Sequence, residues 1–230
     1  MDQTSGTDAT DRIAELEADN RRLRRLLDQR DAPGELRHRL RGTVALMRTI
    51  VRRSADTPRD LETYVGHVED RLDGIARAQG EADEWGAVDL HKLLADELLH
   101  YGVSEGDRAV LSGPEVDLTA RAGQVMALAI HELAVNAVEH GALGRDGRLE
   151  VSWEVAPDGD GGILTLVLVW KERDVSGAAP RARPGFGTEV LTRMLPYELK
   201  AGTTISDEPG GLRCTLRVPL TDRTGRLRRE

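Results

Sequence analysis

Thr119-Ala-Arg-Ala-Gly-Gln-Val-Met-Ala-Leu-Ala-Ile130-His131-Glu132-Leu-Ala-Val-Asn136-Ala-Val-Glu-His140-Gly141 is the stretch on which the fold turns. Thr119 is an N-cap residue and Gly141 reads as a C-cap glycine, so one long helix is predicted between them. Glu132, Asn136 and His140 are spaced i, i+4, i+8 and share one face, while Ile130, Ala134 and Val138 fall on the opposite face. The apolar face would pack on a sheet. A carboxylate and a carboxamide one turn apart beside a sheet suit Mg²⁺ and the phosphates it carries, because Mg²⁺ takes few protein oxygens and fills the rest of its shell with water or phosphate. The plainer reading is a solvated polar face.

The segments around this helix supply the sheet. Leu149 to Val155 alternates apolar and polar residues as a half-buried strand does. Asp158-Gly-Asp-Gly161 is turn chemistry. Ile163 to Trp170 is a nearly continuous apolar run, which predicts a strand buried on both sides or nearly so. Residues 171–184 are polar, with Gly177, Pro180 and Pro184, and predict a mobile loop that orders only when Arg181 and Arg183 meet a triphosphate. A helix from Gly187 to Leu195 and a hairpin turning at Pro209-Gly210-Gly211 follow. Upstream, Asp89 caps a helix carrying Leu90, Leu94 and Leu98, and Ala109 to Leu111 suits a short strand. These alternations predict an α+β domain, a two-layer α/β sandwich with helices on one face of a mostly antiparallel sheet.

The N-terminal third is different. Residues 1–10 are polar. Ile13, Leu16, Asn20, Leu23 and Leu27 follow steps of three and four, the seam of a short coiled coil. Ala32-Pro33-Gly34 breaks that helix. A second helix, from about Glu35 to Arg53, has the stripe Leu36, Leu40, Val44, Met47 and Val51; a third, with Thr57 as N-cap and Pro58 at its first position, carries Leu61, Val65, Val68, Leu72 and Ile75. One such hairpin buries little; two make a four-helix bundle, so a homodimer is expected. The character of the chain changes at Trp85-Gly86. The expected divisions are 1–33, a disordered start and coiled coil; 34–85, the hairpin; 86–220, the sandwich; and 221–230, a polar tail.

Composition narrows the functions. The 230 residues carry a formal net charge of -8, which disfavours generic nucleic-acid binding. The single cysteine, Cys214, allows neither an intrachain disulfide nor a cysteine metal cluster. No apolar run approaches the roughly 18 residues of a membrane span, and the first residues lack the pattern of a signal peptide. A cytoplasmic protein is expected.

Three further motifs carry chemistry. Gly185-Phe-Gly187-Thr188 precedes a helix, where glycines let the backbone approach a phosphate at the helix N-terminus. Trp170-Lys-Glu172 ends the apolar strand; its acid could accept from an adenine amino group, while Trp170 alone reads as core. His38 lies two residues from both Leu36 and Leu40, about 200° around the helix from each, so it should be off the apolar stripe and exposed. Arg37, Arg39 and Arg41 surround it.

Together, in this order, the motifs closely resemble the HWE family of histidine kinases, from about Glu35 to Leu220. Glu35-Leu-Arg-His38-Arg-Leu-Arg resembles the family's phosphoacceptor segment, His131-Glu-Leu-Ala-Val-Asn136-Ala its asparagine box, Trp170-Lys-Glu172 its Trp-x-Glu signature, and Gly185-Phe-Gly187-Thr-Glu-Val-Leu its last glycine box. Leu111-Ser-Gly-Pro and Gly211 to Leu220 are similar to family segments too. The resemblance implies a Bergerat-type ATP-binding sandwich, shared with gyrase and Hsp90, behind a dimerisation and phosphotransfer hairpin. It implies ATP and Mg²⁺ as cofactors, His38 as phosphoacceptor, Asn136 as magnesium ligand with Glu132 assisting, and Glu172 at the adenine. His131, His140, Trp170, Gly185, Gly187 and Thr188 complete the implied nucleotide site. The phosphoryl group would pass to an aspartate of a response regulator. Gly42 stands where the family usually has Asn, so phosphatase activity is not implied, and no acid follows His38 directly. The residues before the hairpin are too few for a sensor, so the input comes from another protein or the chain is a piece of a longer one. Two rivals share parts of this pattern: a phosphotransfer adaptor that relays phosphate through His38 without ATP, and a serine kinase of the anti-sigma type. Asn136 with Glu172 speaks against the first, His38 on a hairpin against the second.

Overall fold

In the computed structural model, residues 34–55, 60–158, 162–173, 185–208 and 210–228 are described. They fall into two compact units, divided between Leu72 and Asp73. The coiled-coil expectation, Thr57, Pro58 and the loop residues 174–184 lie outside the described residues.

The first unit holds α1 (Gly34–Ser54) and the beginning of α2 (Leu61–Trp85). α2 starts after Asp60, whose carboxylate accepts from the Thr63 N–H at 2.9 Å and the Thr63 hydroxyl at 2.7 Å; this cap sits three residues beyond the Thr57 predicted for the role. The buried face of α1 carries Leu46, Ile50 and Ser54, with Val44 at its edge, so it is turned from the predicted Leu40–Val51 stripe. Two polar contacts join the helices. Arg71 donates to Ser54 Oγ at 3.0 Å, and the Tyr64 hydroxyl donates to Val51 O at 3.0 Å.

The second unit begins inside α2, not at Trp85-Gly86. Ile75, Ala78 and Ala82 are buried, and Arg77, Gln79 and Glu81 bond to Glu97, Gln124 and the Asp89 N–H. The last turns of this helix are therefore structural parts of the sandwich. Its elements are β1 (Val88–Asp89), α3 (Leu90–His100), β2 (Ala109–Ser112), β3 (Val116–Leu118), α4 (Ala120–Glu139), β4 (Arg148–Asp158), β5 (Ile163–Arg173), α5 (Phe186–Glu189), a π-helical turn (Val190–Met194), α6 (Leu195–Leu199), β6 (Gly202–Glu208), β7 (Gly211–Pro219) and β8 (Gly225–Leu227). The predicted caps hold: Asp89 accepts from the Lys92 N–H at 2.9 Å and Thr119 Oγ1 from the Ala122 N–H at 3.3 Å.

The large sheet has the order β2-β4-β5-β7-β6, with β2 and β4 parallel and every other pair antiparallel. Its inner face is built rung by rung, Val151–Trp170–Cys214, Trp153–Leu168–Leu216 and Val155–Leu166–Val218. Apart from Val155, those side chains are buried, as are Val125, Met126, Ala129, Ile130, Leu133 and Ala134 of α4. β5 is fully buried on this face at Leu166, Leu168 and Trp170; on its other face Thr165 is buried and Val167 and Val169 are half-buried, while Ile163 and Leu164 at its start are exposed. A run of apolar residues long enough for a two-sided strand thus spends half its side chains on the outer face.

A small second sheet, β1-β3-β8, corrects the polar tail expected from residue 221. Leu118 pairs with both Val88 and Gly225. Arg228 pins the edge by bonding Asp117, Asp89 and Glu115, and the first of these partners raises its pKa.

Candidate active site

Three positions converge above α4. Glu132 is buried and Asn136, one turn later, is half-buried. The chain returning from β5 lays Gly187 against both. A Cβ at Gly187 would stand 2.9 Å from Glu132 Oε2 and 3.4 Å from Asn136 Nδ2, so a larger residue would have to push the Glu132 carboxylate aside. Among the described residues no side chain caps the start of α5 at Gly185, and Thr188 behind it is exposed. A backbone drawn close to a carboxylate and a carboxamide at a helix start suits a phosphate chain and its cation.

A second cluster forms just past the C-terminus of α4. Glu172 is 4% exposed although it is a carboxylate. Its Oε2 accepts from the Ala142 N–H at 2.9 Å. A Cβ at Gly141 would overlap that same oxygen, and one at Gly211 would stand 2.5 Å from the Glu172 carbonyl oxygen. Gly141 does not take the left-handed conformation of a C-cap glycine; it is glycine because Glu172 fills the space of its side chain. α4 ends at Glu139 with His140 as its C-cap. His140 has left the helical row of Glu132 and Asn136, and its side chain is 70% exposed, 3.5 Å from Glu139.

Trp170 is fully buried in the inner face, and its Nε1–H finds no partner among the described residues. It is a wall of the domain. His131 is also buried, on the side of α4 that meets α3. Its Nδ1 lies 2.7 Å from Glu97 Oε1 and 3.3 Å from the Tyr101 hydroxyl, while Arg77 donates to Glu97 Oε2 at 2.8 Å. Burial pushes the Glu97 carboxyl upward, but the hydrogen bond and charge of His131, then Arg77, outweigh that and hold it below its ordinary value. An ionised Glu97 can only accept, so Nδ1 carries the proton, and the buried Nε2 finds no partner among the described residues. His131 therefore fixes the helix that bears Glu132 and stands apart from the Glu132–Asn136 face.

The structure thus gathers Glu132, Asn136 and Gly187, and separately Glu172, Gly141 and Gly211. His38 lies in α1; its side chain is outside the described residues. One contributor, Glu97, is not among the residues the sequence motifs single out. Glu97 carried a signal: it follows Leu90 by seven residues and Leu94 by three, a carboxylate on an apolar stripe.

A family model described as HWE histidine kinase matches residues 35–115, a span that includes His38 and the hairpin. A blue-light-activated histidine kinase of Rhizobium johnstonii is 32% identical over 212 residues, which cover 90% of this chain and 56% of that protein. The chain belongs to the HWE histidine kinase family. A second relative, blue-light-activated histidine kinase 1 of Erythrobacter litoralis, is 32% identical over 197 residues, 82% of this chain and 51% of that protein. The chain thus spans about half the length of these relatives. The solved structure of Erythrobacter litoralis EL346 blue-light activated histidine kinase shares the fold, with a TM-score of 0.57 at 16% identity over 84% of this chain and 62% of that one. Among the described residues no helix is long and apolar enough to cross a membrane.

Proposed function

We propose that this chain is the kinase part of a two-component system, which autophosphorylates His38 from ATP and passes the phosphoryl group to an aspartate of a response regulator. The observation that carries the reading is the approach of the Gly187 backbone to the Glu132 carboxylate and the Asn136 carboxamide at the start of a helix, a setting that suits a phosphate chain and its cation. ATP lies between this cluster and Glu172, whose carboxylate accepts from the adenine amino group. Asn136, with Glu132 beside it, holds Mg²⁺; a hard cation that keeps phosphate and water ligands fits these few oxygens. The bound ion supplies charge neutralisation on the transferring phosphoryl group. Gly185, Gly187 and Thr188 shape the phosphate end. His131 acts indirectly, by fixing α4.

A nitrogen of His38 attacks the γ-phosphorus in line, the bond to the β–γ bridging oxygen breaks and ADP leaves. Orientation and electrostatics supply most of the acceleration in such transfers. The attacking imidazole must be neutral, which favours a pH above roughly 6.5. The helical hairpin serves dimerisation and phosphotransfer, the α/β domain that follows it binds ATP, and the protein works in the cytoplasm as a homodimer under an upstream sensor.

Two measurements separate this reading from its rivals. A phosphotransfer adaptor would not bind ATP with Mg²⁺, so calorimetric titration decides that case, with loss of Mg²⁺-dependent binding expected for Asn136→Ala. A serine kinase would yield an acid-stable phosphoryl product; the histidine kinase product is acid-labile.

A further inference from the structure

Ala142 is held from both sides. Its N–H donates to Glu172 Oε2 at 2.9 Å, and its carbonyl accepts from Arg108 Nη2 at 2.7 Å. The same guanidinium donates to Gly147 O, at 3.2 Å from Nε and 3.1 Å from Nη2, and to Arg145 O. Three carbonyls of the turn 142–147 therefore converge on one planar cation. Arg108 itself is anchored at the head of β2, where its carbonyl accepts from the Leu149 N–H at 2.9 Å. The turn has no slack on its other side. A Cβ at Gly144 would overlap Val138 O, and one at Gly147 would stand 2.6 Å from Arg173 O.

We propose that Arg108 is a positioning residue for nucleobase selection: through Ala142 it sets where the Glu172 carboxylate stands. The proposal rests on the reading of Glu172 as the group that meets the base. The β5 ladder fixes the Glu172 backbone, but the carboxylate lies at the end of a side chain with several rotamers. The Ala142 N–H selects one of them, and Arg108 decides where that N–H is. A carboxylate so held accepts from a base that presents an amino group, as adenine does. It faces the lone pairs of one that presents a carbonyl, as guanine does. Sites built to bond a particular polar group discriminate strongly, because the wrong partner leaves a buried group unpaired. A carboxylate released from Ala142 can turn away from guanine and loses this discrimination. Lys in place of Arg108 keeps the charge but offers no planar fork, so it can hold only part of the turn.

The test uses the full 230-residue chain. Dissociation constants for non-hydrolysable ATP and GTP analogues with Mg²⁺ are measured for wild type, Arg108→Met, Arg108→Lys and Glu172→Gln, with a melting curve for each. The ATP-to-GTP preference should fall by about tenfold or more in Arg108→Met, lie between in Arg108→Lys, and vanish in Glu172→Gln. Because each ratio is taken within one protein, a general loss of stability cancels. Wild-type ratios in both Arg108 variants, or an equal weakening of both nucleotides, would overturn the proposal and leave Arg108 a brace for the turn. If Arg108→Met does not fold, the Arg108→Lys ratio alone decides. A wild-type protein without preference, or a Glu172→Gln variant that keeps it, would remove the underlying reading of Glu172 as well.

Discussion

Glu97→Gln should destabilise the second unit, and its magnitude follows from the geometry. Glu97 and His131 are 4% and 1% exposed in their side chains and 2.7 Å apart. Arg77, 40% exposed, adds a second bond to the same carboxylate at 2.8 Å. Breaking a buried pair by removing one partner costs about 3–5 kcal/mol. Glutamine keeps an acceptor oxygen of the same reach and leaves no buried charge of its own, so the cost falls at or below the bottom of that range, about 2–3 kcal/mol. At roughly 2–4 °C per kcal/mol for a body of 150–250 residues, melting should fall by about 4–12 °C. The pH dependence provides a second signature. The Glu97 carboxyl is held below its ordinary value of 4.5. Its contribution is fully present above that value and is lost as the pH falls through the lower folded value. The gap between wild type and Glu97→Gln should therefore be constant from about pH 5 upward and close in stronger acid. Calorimetric melting at pH 7 and at several acid pH values reads both. Variant melting within a degree of wild type at pH 7, or a gap that widens in acid, would refute the assignment of Glu97 as a buried, ionised partner of His131.

Other perturbations probe the site and the assembly. Gly187→Ala brings a methyl to 2.9 Å from Glu132 Oε2 and displaces that carboxylate; Mg-ATP affinity should drop about fivefold or more, roughly 1 kcal/mol, and an unchanged dissociation constant would count against the phosphate cradle. Gly141→Ala displaces the Glu172 carboxylate and should weaken nucleotide binding while lowering the melting temperature; a variant binding ATP as wild type does would show that Glu172 is not at the base. Light scattering should give about twice the chain mass of 25.2 kDa, and the single-chain mass across a wide concentration range would rule out the homodimer.

The features legible in the sequence were those with a local period or a local cap. Asp89 and Thr119 could be placed because a cap bonds the N–H three residues on. Glu132 and Asn136 could be paired because helical spacing fixes which side chains share a face. His140 broke the same rule, since α4 ends one residue before it. What stayed hidden depends on partners distant along the chain. Leu118 pairs with Gly225 in a strand of three residues, too short for any periodicity. His131 meets Glu97 on another helix, 34 residues away, and Arg108 reaches Ala142 across the same separation. Gly141 was rightly seen as required, but for a local reason; the true one is the Glu172 carboxylate, 31 residues later in the chain. The divide at Leu72–Asp73 was hidden for a related reason, because the end of α2 gains its partners Glu97, Gln124 and Asp89 only in the folded second unit.

The central claim is that His38 receives the γ-phosphoryl group of ATP bound at Asn136, Gly187 and Glu172. Incubation of the chain with γ-labelled ATP and Mg²⁺, wild type beside His38→Ala, tests it directly. The wild type should carry an acid-labile label and His38→Ala none, with nearly equal ATP affinity for the two. Label persisting on His38→Ala would contradict it and move the acceptor elsewhere, with His67 on α2 the next position to examine.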